Sequence, residues 1–237
     1  MQSEINVAIL ENHQGTIDGY TYRLNMVPEI KIKATCLYAQ DLEKVFEKEQ
    51  IDLLITGVDV HVASENRNPF SILYFIEEIK RERPLLKLLV ISYVNQSQLV
   101  KSLLEAGING FILKEDQQSI QRLGKIVEII AGGGVYFSDG IRRDLYMPST
   151  PLPLTKRQFE VISLCAAYPD EDTFNLARRL HISGSTLRNI LSTIYEKMGV
   201  RTRAAAILKA RQLGIIPPAS LSDVYRFESD GKDPDLV

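Results

Sequence analysis

The sequence predicts two domains of different class, a doubly wound α/β domain followed by an all-α domain. Its 237 residues suit two domains better than one, since a single domain usually holds roughly 100–200 residues. Residues 1–131 alternate short apolar runs with longer amphipathic segments, whereas residues 154–214 follow a helical pattern throughout. Between them, Met147 to Pro153 contains three prolines, which exclude helix and sheet interior.

The N-terminal alternation predicts five βα units. Apolar strands alternating with helices of about 10–15 residues are typical of a five-stranded parallel sheet, whose ligands bind beyond the carboxyl ends of the strands. The predicted strands are Ile5–Leu10, Ile30–Cys36, Asp52–Gly57, Leu88–Ser92 and Gly110–Leu113. The predicted helices are Gly15–Met26, Gln40–Lys48, Pro69–Arg83, Gln96–Ala106 and Gln117–Ala131.

These patterns set the expected domain boundaries. The α/β domain covers residues 1–134 and ends at the glycine run Gly132–Gly134. A linker follows at 135–153, and a helical domain of four helices at 154–216. Residues 217–237 form an acidic tail with weak periodicity, which we expect to be disordered.

The composition is that of an ordinary globular protein, with 45% apolar and 24% charged residues. No apolar run approaches the roughly 18 residues that a membrane span needs, and the N-terminus lacks the order of a signal peptide. We therefore expect a cytoplasmic protein without a membrane partner. The two cysteines, Cys36 and Cys165, lie far apart among apolar residues, so we interpret both as reduced core residues and expect no metal and no cofactor.

The net charge of −2 conceals an asymmetry. Residues 1–149 carry 16 Lys/Arg against 20 Asp/Glu, residues 150–218 carry 10 against 5, and residues 219–237 carry 2 against 5. A small basic module behind an acidic domain favours a polyanionic partner for that module, with a solvated basic face as the alternative.

The basic module contains a helical hairpin. Thr155 and Gln158 form a capping box for a first helix that ends near Ala167. A second helix is predicted at Asp172–Leu180, and Ser183 caps a third.

On the third helix, polar side chains recur at i, i+3, i+4 and i+7, which places them on one exposed face. Such a face suits base reading in the major groove, because Arg pairs with guanine and Asn with adenine. From spacing alone, DNA binding and a plain solvated face are equal alternatives. The candidate base contacts are Ser185, Arg188, Asn189 and Ser192. The candidate backbone contacts are Lys156, Arg157, Thr186, Lys197, Arg201 and Arg203.

Three segments of this module are similar to the NarL/LuxR DNA-binding domain. Leu154–Ile162 resembles its opening, Ile182–Asn189 its turn and recognition helix, and Lys197–Ala206 its closing segment. The resemblance implies base contacts by Arg188, Asn189 and Ser192 and a dimer contact through the last helix, Ala204–Leu213.

The N-terminal domain resembles the receiver domain of response regulators, through Val7–His13, Asp52–Gly57, Leu88–Ser92 and Ala106–Lys114. The resemblance assigns a degenerate phosphorylation pocket and an aromatic switch position. The pocket comprises Glu11, Asn12, Gly57, Ser92 and Lys114, and the switch position is Phe111.

Glycine at the nucleophile position has no carboxylate to phosphorylate, and Glu11/Asn12 replace the usual metal-binding pair. Asp59 lies two residues further on, about 6–7 Å along an extended chain, too far to replace Gly57 unless the loop folds back. We interpret Glu11 and Lys114 as a salt bridge. The polar loop Val58–Pro69 binds a ligand or partner, or is simply a surface loop.

These observations predict a homodimeric, sequence-specific DNA-binding transcription regulator, not an enzyme, that acts independently of aspartyl phosphorylation. Its expected partners are double-stranded DNA and a second copy of itself, with another regulator, RNA polymerase or a small ligand as further candidates. Two alternatives remain at this point. One is a protein-binding adaptor with weak DNA binding; the other is a phosphotransfer component, which Gly57 disfavours.

Overall fold

A computed structural model describes residues 4–93, 97–146 and 154–217. Its N-terminal half is a sheet of six parallel strands in the order β2-β1-β3-β4-β5-β6. The strands are β1 Ile5–Leu10, β2 Ile30–Cys36, β3 Leu53–Thr56, β4 Lys87–Ser92, β5 Gly110–Leu113 and β6 Tyr136–Phe137. The helices are α1 Gln14–Leu24, α2 Leu42–Lys48, α3 Ile72–Glu82, α4 Ser97–Ala106, α5 Gln117–Gln121, α6 Leu123–Ala131, α7 Asp139–Tyr146, α8 Lys156–Ala167, α9 Thr173–Arg179, α10 Gly184–Met198 and α11 Arg203–Gln212.

The two faces of the sheet are both buried, which explains the continuous apolar runs of the central strands. Successive β1 residues point to opposite faces: Val7 and Ile9 pack against α1 and α6, whereas Ala8 and Leu10 pack towards α2 and α3. The cluster on the α3 side continues into the core of the C-terminal domain. The two domains therefore share an apolar contact.

The five predicted strands and the parallel arrangement are confirmed, and the predicted fifth helix is two helices separated at Arg122. The stretch 135–153, predicted as a linker, contains further structure at its start. β6 pairs with β5, with Phe137 opposite Phe111, and α7 follows directly. The sequence pattern missed β6 because a two-residue strand carries no readable period. The predicted tail lies almost entirely outside the described residues.

The C-terminal domain has the four predicted helices, each begun by a side-chain cap. Thr155 and Gln158 form the predicted capping box of α8, and Ser183 caps α10 by accepting from the backbone N–H of Thr186. Gly199 ends α10 in the left-handed region at φ 65°, where a side chain would be strained.

Candidate nucleic-acid interface

Helix α10 has one buried and one exposed face. Leu187, Leu191, Ile194 and Met198 are buried in the domain core. On the opposite face, Arg188, Asn189 and Ser192 are exposed to solvent. The 3.6-residue period thus separates a packing stripe from a hydrogen-bonding stripe.

The N-terminal turn of α10 is held by a small hydroxyl network. Ser183 Oγ lies 2.8 Å from both Ser185 Oγ and Thr186 Oγ1, and it accepts from the Thr186 N–H at 3.1 Å. Ser185 and Thr186 remain exposed. The turn that would enter a DNA groove first is therefore ordered before any ligand binds.

Two of the predicted backbone contacts at the start of α8 are already paired within the protein. Lys156 Nζ forms an ion pair of 2.8 Å with Glu77 Oε1 on α3. Arg157 pairs with Glu160 at 2.5 Å and also donates to the Leu180 carbonyl at 3.0 Å. To reach a phosphate, either side chain would have to exchange these partners.

The other predicted contacts to the DNA backbone differ in whether their side chains are already hydrogen-bonded within the protein. Lys197 Nζ donates to Gln158 Oε1 at 3.0 Å and so touches the capping box of α8. Arg203 donates to the carbonyls of Glu171 and Pro169 at 2.6 and 2.7 Å, and thereby holds the loop before α9. Arg201 is exposed in the turn before α11.

Helix α11 packs one face against α8 and exposes the other. Ala206, Ile207 and Ala210 are buried, whereas Leu208 is 57% exposed and Ala204 is also exposed. Leu208 is thus a single exposed apolar side chain on the helix that the sequence predicts as the dimer contact.

The receiver-like domain docks on the C-terminal domain without covering the polar face of α10. Helix α3 packs against α8. Tyr74 Oη donates to the Arg179 carbonyl at 2.6 Å, and Asn66 Nδ2 donates to the Ala167 carbonyl at 3.0 Å. Asn66 belongs to the loop 58–69, so this loop is part of the domain contact.

The docking contact also contains a pair of carboxyl groups. Burial, together with a hydrogen bond to Glu160, raises the pKa of Glu77 to about 7, while Lys156 acts in the opposite direction. The pKa of Lys156 is raised, mainly by its hydrogen bond to Glu77. Burial first, and the neighbouring carboxyl of Glu160 second, thus favour the protonated form of Glu77.

At the carboxyl ends of the strands, two residues of the predicted degenerate phosphorylation pocket form a buried ion pair. Lys114 Nζ lies 2.7 Å from Glu11 Oε2, with side chains only 6% and 2% exposed. This is the salt bridge expected from the sequence. Ser92 is fully buried beside it at the end of β4, and Phe111 is fully buried on β5.

The loop after β3 folds back over Gly57. A β-carbon built on Gly57 would lie 3.1 Å from Asp59 Oδ1, 3.3 Å from Val60 Cγ2 and 3.7 Å from Glu11 Oε2. A loop that folds back is the condition under which the sequence allowed Asp59 to approach the position of Gly57, because the extended-chain distance does not apply to a bent loop. Asp59 Oδ1 is buried and has no hydrogen-bond partner among the described residues.

Tyr20 on α1 belongs to the same surroundings. Burial raises the pKa of its hydroxyl, and the nearby charges of Glu11 and Asp59 act in the same direction. The raised pKa favours the neutral phenol.

Sequence reasoning missed the residues that join the domains. Tyr74 and Glu77 lie on an amphipathic helix whose pattern indicates only that one face is buried. Their partners are more than 75 positions away in the chain, and no local motif signals such a pairing.

No helix in the described ranges is long and apolar enough to cross a membrane. Within the same ranges, no three His, Cys, Asp or Glu side chains are grouped so as to hold a metal ion.

Comparison with known proteins identifies the C-terminal domain. Residues 152–210 match the family of bacterial regulatory proteins, luxR family. Over nearly the whole chain, the transcriptional regulatory protein DesR of Bacillus subtilis (strain 168) is 25% identical across 210 residues, which is 89% of this chain and 98% of DesR. The transcriptional regulatory protein MctR of Rhizobium johnstonii is 26% identical across 216 residues, with coverage of 90% and 96%.

Solved structures agree with the fold. A structure of an RcsB–DNA complex aligns with a TM-score of 0.56 at 21% identity, over 87% of this chain and 98% of RcsB. A structure of two RcsB dimers bound to two parallel DNAs gives a TM-score of 0.55 at 20% identity, with the same coverage. Together with the luxR-family match, the relatives support a DNA-binding transcription regulator of the NarL/LuxR response-regulator type.

Proposed function

We propose that this chain is a homodimeric, sequence-specific DNA-binding transcription regulator whose receiver-like domain works without aspartyl phosphorylation. The observation that carries the proposal is the exposed face of α10, where Arg188, Asn189 and Ser192 stand side by side while the receiver-like domain docks elsewhere. An arginine and an asparagine can each make bidentate contacts with a purine edge in the major groove. Binding, and not catalysis, is the proposed activity.

The proposed base contacts are Ser185, Arg188, Asn189 and Ser192 on α10, with Thr186 beside them as a contact to the DNA backbone. The first turn of α10 is preset by the hydroxyl network around Ser183, so little order has to be gained on binding. Arg201 and Lys197 are proposed as phosphate contacts beside it, and Arg203 as a support for the domain. Lys156 and Arg157 would join them only after exchanging their carboxylate partners.

Independence from phosphorylation rests on the pocket chemistry. Gly57 has no carboxylate, and Lys114 is paired with Glu11 at 2.7 Å in the interior. Asp59 is not proposed as a substitute nucleophile, because it lies two residues beyond the position that the phosphoacceptor would occupy. The receiver-like domain is therefore proposed to serve dimerisation or the sensing of a ligand or partner.

Dimerisation is proposed through the exposed face of α11. Leu208 is its central apolar side chain. Two-fold DNA sites match two-fold proteins, and the RcsB dimers bound to DNA are a structural neighbour with the same fold.

A footprint tests the DNA-binding function. The purified full-length chain is incubated with its own upstream region and with genomic fragments, and protection from nuclease is mapped. Protected sites with a common sequence support the proposal. Uniform protection of all fragments, or protection of none, contradicts sequence-specific binding.

A further inference from the structure

A groove of about 650 Å³ lies between the two domains. In the receiver-like domain it is lined by residues of α2 and α3 and by Phe70 and Ser71, which follow the loop 58–69. In the C-terminal domain it is lined by Leu164, Tyr168 and Arg179. This volume falls within the range of small-molecule sites, roughly 300–1,000 Å³. It is separate from the DNA-reading face and from the degenerate phosphorylation pocket.

The walls of the groove are rich in aromatic rings. Phe70 and Phe75 pack edge to face with ring centroids 5.6 Å apart, and Phe46, Tyr74 and Tyr168 complete the aromatic surface. Aromatic faces attract cations through the quadrupole of the ring, and they also bury the apolar body of a ligand.

Acidic side chains flank these rings on two helices. Glu43 and Glu47 lie one turn apart on α2, and Glu78 and Glu82 lie one turn apart on α3. Residues four positions apart share a helix face, so each helix contributes one acidic pair to the groove.

The two arginines of the lining are engaged by the protein. Arg83 donates to the Phe46 carbonyl at 2.9 Å and lies over the Phe46 ring, 5.0 Å from its centroid. Arg179 pairs with Glu171 at 2.7 Å and lies over the Tyr168 ring at 3.9 Å. Glu78 is paired with Arg81 at 2.6 Å, so within the described part of the chain the lining carboxylates without an ion pair are Glu43, Glu47 and Glu82.

Ser71 contributes to the wall of the groove and not to its polar surface. It lines the groove but is only 8% exposed, and its hydroxyl oxygen is shielded and has no hydrogen-bond partner among the described residues. The recognition of a ligand therefore rests on the rings and the carboxylates.

From these features we infer that the groove between the domains binds a small organic cation, an amine or quaternary ammonium with an apolar body. This inference deepens the proposed sensing role and rests on it. Nucleic acid and the chain's own C-terminal segment are unsuitable occupants of an acidic groove, because both are negatively charged. The C-terminal segment carries 5 acidic residues against 2 basic ones from residue 219 onward.

Occupation of the groove would act on the domain contact. Tyr74 lines the groove and also donates to the Arg179 carbonyl of the C-terminal domain at 2.6 Å. A ligand that packs on Tyr74 and Tyr168 together touches both domains. It therefore binds the docked arrangement better than a separated one, which is the requirement for a ligand to shift that equilibrium.

The test uses benzyltrimethylammonium as the probe, with benzyl alcohol and benzenesulfonate as neutral and anionic counterparts. Each is titrated into the full-length chain by isothermal calorimetry. We expect saturable one-to-one binding of the cation with a dissociation constant below about 1 mM, and much weaker binding of the other two. The variant Glu43→Gln/Glu47→Gln should weaken the cation about fivefold, whereas Glu115→Gln/Glu128→Gln, which removes the same charge elsewhere, should not.

The inference is overturned if the three probes bind equally well, if the Glu43/Glu47 variant binds the cation as tightly as the Glu115/Glu128 variant does, or if binding of the cation does not saturate. A circular dichroism spectrum identical to that of the parent chain verifies that each variant is folded. The footprint separates this failure from failure of the proposed function. If DNA is protected but the cation does not bind, only the inferred groove site is contradicted. If the cation binds but no DNA is protected, the proposed DNA-binding function is contradicted.

Discussion

Gly57 and Asp59 together determine what the receiver-like domain can do. The position expected to hold the phosphoacceptor lacks a side chain, and the carboxylate of Asp59 bends back to within 3.1 Å of where its β-carbon would lie. Glu11 Oε2 is 3.7 Å from the same point and is bound to Lys114. Two carboxylates and the side chain of Val60 thus already lie against the point from which a side chain at residue 57 would project.

Restoring the carboxylate by Gly57→Asp should therefore destabilise the domain by about 1–3 kcal/mol, because an extra side chain is forced into a packed site beside Glu11 and Asp59. Urea denaturation measures this. The double variant Gly57→Asp/Asp59→Ala should recover part of the loss. Gly19→Asp is the matched control, since a β-carbon there meets nothing within 4 Å; a Gly57→Asp chain as stable as this control would contradict the packing argument.

The unmodified chain should gain no phosphate from acetyl phosphate. Intact-mass spectrometry after incubation with the donor and Mg²⁺ measures this directly. A mass increase of one phosphate group that disappears in Asp59→Ala would show that Asp59 replaces the missing nucleophile, and the proposed independence from phosphorylation would be withdrawn.

At the scale of elements, the contact between α3 and α8 joins the two domains and depends on protonation. Lys156, Glu77 and Glu160 meet there, with Arg157 paired to Glu160. The pKa of Glu77 is raised from 4.5 to about 7. An acid whose pKa is raised by docking binds more protons in the docked state, so docking is favoured at low pH and weakens as pH rises from 4.5 to 7.

Small-angle X-ray scattering at pH 5.5 and 8.0 measures this dependence. The parent chain should have the smaller radius of gyration at pH 5.5, because the docked arrangement is then more populated. Glu77→Gln should abolish most of the difference, since the amide does not titrate, whereas Glu128→Gln on α6 should retain it. A pH response unchanged in Glu77→Gln would assign the response to another group.

Helix α11 exposes Leu208 to solvent. A charged substitution at Leu208 tests whether this face forms the proposed dimer contact. Leu208→Glu should weaken self-association at least tenfold, because a carboxylate in an apolar contact loses its hydration. Sedimentation equilibrium measures the dimer constant. Leu85→Glu changes a side chain that is 85% exposed in the α/β domain; equal weakening by both substitutions, or by neither, would contradict a dimer held by α11.

At the scale of the whole molecule, local periodicity predicted the individual elements and their parallel sheet, and left the contact between the two domains undetermined. The caps at Thr155 and Ser183 were readable because they depend on residues three positions apart. The Tyr74–Arg179 and Glu77–Lys156 contacts join residues 105 and 79 positions apart, and only the docked tertiary structure brings them together. The same holds for the groove between the domains.

The polar face of α10 was readable from its spacing, and its exposure beside a docked receiver-like domain required the structure. The approach of Asp59 to Gly57 was not predictable, because an extended-chain distance gives no information about a bent loop.

Sequence-specific reading by Arg188 is tested most directly by measuring Arg188→Ala and Lys197→Ala on a footprinted site and on random DNA at several salt concentrations. Arg188→Ala should cost about 1–3 kcal/mol on the specific site and leave the affinity for random DNA nearly unchanged. Lys197→Ala should weaken both DNAs alike and reduce the salt slope by about one. If Arg188→Ala lowers both affinities equally, Arg188 contacts only phosphate, and the assignment of the reading face is wrong.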